Sequence, residues 1–149
     1  MIKLMGIALI LIASTKIGAD YAKRFRNRVK EIKMVRAAIE IIRNEMNFNL
    51  KPLDEALGKA SESLSDNCRG LMLGKEDKCS LKPTDKLKIR SFVGNLGKSD
   101  IDTQMRNIDF FQKELAGMED IAIVERDKYA KLALTLGIAC GAVAALIMA

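Results

Sequence analysis

Residues 21–46 read YAKRFRNRVKEIKMVRAAIEIIRNEM, and apolar side chains recur there at Tyr21, Phe25, Val29, Ile32, Val35, Ile39, Ile42 and Met46. Steps of three and four put them on one stripe of an α-helix, whereas a strand needs steps of two. The Lys, Arg and Glu residues in between read most simply as a solvated face. No segment alternates as a half-buried strand does, so the fold class is all-α.

Downstream the same logic gives three more helices. Pro52 suits a first helical position, and Asp54 and Glu55 favour the positive end of the dipole. Leu53, Ala56, Leu57, Ala60 and Leu64 form that helix's buried stripe. Between residues 67 and 82 the pattern degrades; Gly70, Gly74 and scattered charges predict a loop with a short helical turn around residues 71–73. A third helix starts at residues 83–85 and is expected to bury Leu87, Ile89, Phe92, Val93 and Leu96. Gly97 is placed to end it in a left-handed conformation. Ser99 is expected to cap the next helix, with Asp102 completing a capping box. That fourth helix carries Ile101, Met105, Ile108, Phe111, Leu115, Met118 and Ala122 on one stripe. No clear breaker follows, Gly117 being only a soft point, so one long helix is expected to run to the C-terminus. Stripes joined by short connections predict a small antiparallel bundle.

The ends differ from this middle. Residues 132–149, LALTLGIACGAVAALIMA, carry no charge. Eighteen helical residues rise about 27 Å, close to the hydrocarbon thickness of a bilayer. Gly137, Gly141 and Ala145 recur every fourth residue there, a small-residue stripe that lets another helix approach closely and leaves a homo-oligomer open. Residues 4–15 are also apolar but are flanked by Lys3 and Lys16, whose ammonium groups can snorkel to the headgroups. A cleaved signal peptide has a similar apolar run, but no small-x-small cleavage site follows and the dense positive charge downstream opposes translocation. The expected division is an N-terminal transmembrane helix over 1–19, a cytoplasmic helical bundle over 20–131 and a C-terminal transmembrane helix over 132–149. Lys23, Arg24, Arg26, Arg28, Lys30 and Lys33 follow the first span; Arg126, Lys128 and Lys131 precede the second. Positive flanks stay inside, which places both termini outside.

Composition excludes several chemistries. There is no histidine, which removes His-based triads and dyads and most zinc and haem sites. The net charge is +6, but with 5% aromatic residues and no Trp there is little to stack on bases, and nucleic acid is not an expected partner. Cys68 and Cys79 could meet across a short loop, yet no CxxC pair exists; both, and Cys140 in the apolar run, read as free thiols. Gly94, Gly97, Lys98 and Ser99 suggest a phosphate-binding loop, but two residues separate the glycines instead of four and no strand precedes them. Glu119, Asp120, Glu125 and Asp127 alternate with bases as a helix surface does. No catalytic, cofactor or metal site is read from the residues.

The corner itself carries a resemblance. Leu96-Gly97-Lys98-Ser99-Asp100 with Gln104 resembles the LGxSDxxxQ signature of the stage III sporulation protein AB family. Leu81 and Asp85 upstream, the pattern Glu45, Phe48, Pro52, Leu53, and an apolar C-terminal run with Gly137 and Gly141 are similar to the family in the same order. Two departures stand out: Lys51 occupies the position where the family places a capping Thr or Ser, and residues 67–81 are short. The resemblance implies a membrane component of the channel-like, secretion-like complex between mother cell and forespore. It implies a location in the mother-cell membrane around the forespore and a non-enzymatic scaffold role. The implied partners are the secretion-type ATPase, stage III sporulation protein AA, other membrane components of that complex and the lipid bilayer. The family is similar to the F-type inner-membrane platform protein of type II secretion and type IV pilus systems, and a platform protein of such another assembly machine is the alternative. On this reading Glu45, Phe48, Pro52, Leu53, Leu96, Gly97, Ser99, Asp100 and Gln104 either hold the helix corners or contact a partner.

Overall fold

The computed structural model describes the backbone of residues 2–148; the side chains of residues 2–4, 7, 145 and 148 lie outside the described residues, Ala145 of the small-residue stripe among them. Every regular element among the described residues is helical. These are α1 (Ile2–Asn47), α2 (Leu53–Glu62), α3 (Asp66–Met72), α4 (Pro83–Asn95), α5 (Ile101–Glu125), a π-helical segment (Arg126–Ala130) and α6 (Lys131–Met148). The helix expected to run unbroken to the C-terminus is helical throughout from Ile101, but it changes to π geometry at Arg126–Ala130. Among the described residues no helix is long and apolar enough to cross a membrane, so the two flanking spans rest on the sequence alone.

The chain forms two compact units, residues 28–121 and residues 1–27 with 122–149. The larger is a helical bundle. Val29, Ile32, Val35, Ile39 and Ile42 of α1 are buried with Ile89 of α4 and Ile108, Phe111 and Leu115 of α5. Phe92 and Phe111 stack at 4.0 Å between α4 and α5. Residues of α1 and α5 pair in opposite order along the chain: Arg43 with Asp109 at 3.0 Å and Arg36 with Glu119 at 3.2 Å. The two long helices are therefore antiparallel.

Three residues leave their expected stripes: Tyr21 of α1, Leu87 of α4 and Ile101 of α5 are exposed, while the first turns of α4 and α5 bury Asp85 and Gln104 instead. The solvated-face reading of α1 fails at three charged residues: Arg28, Glu31 and Glu45 are all buried. Arg28 makes a two-pronged pair with Asp85, Nε to Oδ2 at 2.8 Å and Nη2 to Oδ1 at 3.2 Å. Asp85 Oδ2 also accepts the Lys82 N–H at 3.3 Å, so one carboxylate fixes both the start of α4 and its seat on α1.

The smaller unit is a helical hairpin. Its contacts run from Ser14 with Gly141, through Gly18 with Gly137 and Ala133, to Phe25 with Tyr129, an antiparallel register. A Cβ on Gly18 would lie 2.7 Å from the Ala133 carbonyl oxygen, and one on Gly137 would lie 3.0 Å from the Ser14 carbonyl oxygen. Only glycine allows backbones this close. Phe25 stacks on Tyr129 at 5.7 Å and meets Tyr21 edge-on at 5.5 Å. Cys140 is a free, exposed thiol.

Candidate functional site

Two corners of the bundle carry the signature residues, and the fold brings them together. After α1 the chain turns through Phe48 and Leu50, both exposed, with Leu50 at φ +50, an uncommon conformation for a residue with a side chain. The Lys51 N–H returns to the Glu45 carbonyl at 3.1 Å. Pro52 then caps α2 without a side-chain bond. Lys51 instead pairs with Glu55 one turn on, and Lys59 pairs with Glu45. Hydrogen bonds donated by Lys59 and Asn49 hold the Glu45 carboxyl below its ordinary range.

The second corner closes α4 and opens α5. Leu96 is extended and buried, and Gly97 takes φ +83, the left-handed position expected for it. A Cβ on Gly97 would also come within 2.8 Å of Leu53 Cδ2. Leu53 of the first corner thus packs onto Gly97 of the second. The cap of α5 lies one residue later than expected: Asp100, not Ser99, accepts the Thr103 N–H at 3.0 Å, and that bond holds the Asp100 carboxyl below its usual range. Ser99 contributes its main chain, its carbonyl accepting from Gln104 Nε2 at 2.6 Å. Asp102 falls at the second helical position and takes no part in the cap.

Gln104 is 6% exposed, and its Oε1 has no hydrogen-bond partner. It lines a groove of about 320 Å³ between α4 and α5, whose walls include Phe92, Asn95, Leu96, Asn107 and Phe110. A buried acceptor left unpaired costs about 1–3 kcal/mol unless something donates to it. The groove's lining thus combines this amide with three aromatic rings, Phe92, Phe110 and Phe111. Glu45, Phe48, Pro52, Leu53, Leu96, Gly97, Ser99, Asp100 and Gln104 form two linked corners, of which Phe48 is the most exposed large side chain. Gly137 and Gly141 lie apart from them, in the hairpin.

A second cluster joins Cys68 and Cys79, whose meeting across a short loop was open from the sequence, to Glu31, which the sequence did not place there. Glu31 of α1, Cys68 of α3 and Cys79 of the loop before α4 bring a carboxylate and two thiols within 4.8 Å of one another, all buried. Glu31 accepts the Ser80 N–H at 2.6 Å, and burial pushes its carboxyl above the ordinary range. The Cys79 thiol lies 2.9 Å from Asp77 Oδ1. Asp77 in turn pairs with Lys86 at 2.5 Å and Arg90 at 2.7 Å. Burial pushes Asp77 up, but its hydrogen bonds with Cys79 and Lys86 outweigh this and hold it below the usual carboxylate range.

Residues 3–74 and 71–149 match the family model described as Stage III sporulation protein AB (spore_III_AB). The Stage III sporulation protein AB of Bacillus subtilis (strain 168) is 25% identical over 163 residues, with 95% of each chain covered. No solved structure matches.

Proposed function

The chain belongs to the stage III sporulation protein AB family, and from that premise we propose that it serves endospore formation as a membrane-anchored scaffold. Its place is the secretion-like channel complex between mother cell and forespore. Its bundle faces the mother-cell cytoplasm, both termini lie outside it, and the bundle docks the secretion-type ATPase, stage III sporulation protein AA. The protein positions its partner and performs no chemistry.

The observation that carries the docking site is the packing of Leu53 on Gly97. It joins two signature segments that are more than 40 residues apart in the chain. Packing and capping account for most of the signature residues, but not for two features. Here Phe48 stands 75% exposed at one corner, and the other leaves an unpaired acceptor on Gln104. Exposed aromatic anchors beside a polar group needing a donor are the usual ingredients of an interface centre.

Membrane anchoring is supported by the exterior of the hairpin. Leu9, Ile12, Ile17, Leu136, Leu146 and Ile147 are each more than half exposed, an apolar surface with no protein cover. Tyr21, Phe25 and Tyr129 cluster, with Lys128 over the Tyr129 ring, the composition found where a span meets the headgroups. Co-purification tests the docking. The full-length chain should retain the ATPase from detergent extracts of sporulating cells, and Phe48→Ser should lose most of it with helix content unchanged. Equal retention by both would remove the corner from the interface.

A further inference from the structure

The loop between α3 and α4 is built to bring one cysteine onto another. Gly74 turns the chain at φ +68, and a Cβ on Gly70 would collide with the Glu76 carbonyl oxygen. Those two glycines let residues 75–79 fold back along α3, where the Lys75 N–H donates to the Gly70 carbonyl at 2.8 Å and the Lys78 N–H to the Asn67 carbonyl at 2.9 Å. Cys79 is delivered in this way beside Cys68, and α1 presents Glu31 to both.

We propose that Cys68, Cys79 and Glu31 form a binding site for a soft divalent cation of the zinc class, which staples the loop of residues 73–82 to α1. Two sulfurs and one carboxylate are a donor set that zinc accepts, and three protein ligands leave a fourth tetrahedral position. From metal–sulfur bonds of about 2.3 Å and metal–oxygen bonds of about 2.0–2.2 Å, tetrahedral edges come to roughly 3.5–3.8 Å. The three donor atoms already lie within 4.8 Å of one another, so closing on a cation takes side-chain shifts of an ångström or so. Asp77 Oδ1, 2.9 Å from Cys79 Sγ, is placed to orient that sulfur, and Lys86 and Arg90 hold the carboxylate there.

Glu31 accepts from the Ser80 N–H and the Cys68 thiol, and the Lys86 charge also acts on it. Binding is a proton exchange: one cation enters, both thiols become thiolates, and two protons leave to solvent.

Cobalt(II) is the probe. The reduced full-length protein should bind one equivalent, with a thiolate-to-cobalt charge-transfer band and the d–d bands of a tetrahedral site, both bleached by zinc. Cys68→Ser and Cys79→Ser should abolish the charge-transfer band. Asp77→Asn should weaken binding by about 10–100-fold, as loss of an orienting partner does. Cys140→Ser should change nothing. No charge-transfer band at one equivalent overturns the proposal, as does a band that survives both cysteine variants. So does a reduced chain that refuses cobalt yet forms a Cys68–Cys79 disulfide in air. If a variant fails to fold by circular dichroism, the wild type still decides: about two protons released per zinc support the site, and fewer than one contradicts it.

Discussion

Asp100 and Ser99 show how finely a cap can be placed. Ser99 looks like the capping residue because Ser followed by an acid three residues later is the common pattern. The chain instead uses Ser99 through its carbonyl and lets the next side chain cap, since Asp100 alone reaches the Thr103 N–H. Asp100→Ala should therefore cost about 1 kcal/mol in urea unfolding, while Ser99→Ala should lie within about 0.5 kcal/mol of wild type. Gly97→Ala should cost about 1–2 kcal/mol from its left-handed backbone alone, before any clash with Leu53 is added. Glu45 makes a pH prediction. Its carboxyl sits below the ordinary value of about 4.3 when folded. The stability it adds is therefore full above that value and disappears as pH falls through the lower, folded one. Unfolding midpoints of wild type and Glu45→Gln should differ at neutral pH and converge in acid.

At the scale of elements, the helices were legible wherever periodicity or a breaker marked them. Pro52 and Pro83 adjoin the starts of α2 and α4, Gly97 turns the corner, and the stripe from Val29 to Met46 is buried as its spacing requires. What stayed hidden depends on partners far away in the chain. Arg28, Glu31 and Glu45 look like surface charges because nothing local distinguishes them from Lys30 or Arg36. Asp85 buries Arg28 from 57 residues away, and Ser80 receives Glu31 from 49. Removing one member of a buried pair strands the other, so Arg28→Ala should cost about 3–5 kcal/mol. The apolar double replacement Arg28→Met with Asp85→Leu should recover most of it. The cation cluster was in part hidden for the same reason. The spacing of Cys68 and Cys79 left their meeting open, but neither the close approach of the Glu76 carbonyl to Gly70 nor the arrival of Glu31 is marked in the sequence.

The whole molecule is a helical bundle and a helical hairpin, and the functional reading assigns them different solvents. The expected C-terminal span was read from charge-free sequence and the N-terminal one from an apolar run between Lys3 and Lys16, and the apolar exterior of the hairpin is the structural feature that accords with them. Reporter domains fused to each terminus should both be active only outside the cytoplasm; a cytoplasmic signal from either end would require a different topology. The central claim is that the joined corners receive the ATPase, and site-specific photo-crosslinking in sporulating cells tests it most directly. A photoreactive residue at Phe48 should yield an adduct with stage III sporulation protein AA, and one at the exposed Lys113 of α5 should not. An adduct at Lys113 with none at Phe48 would contradict the account.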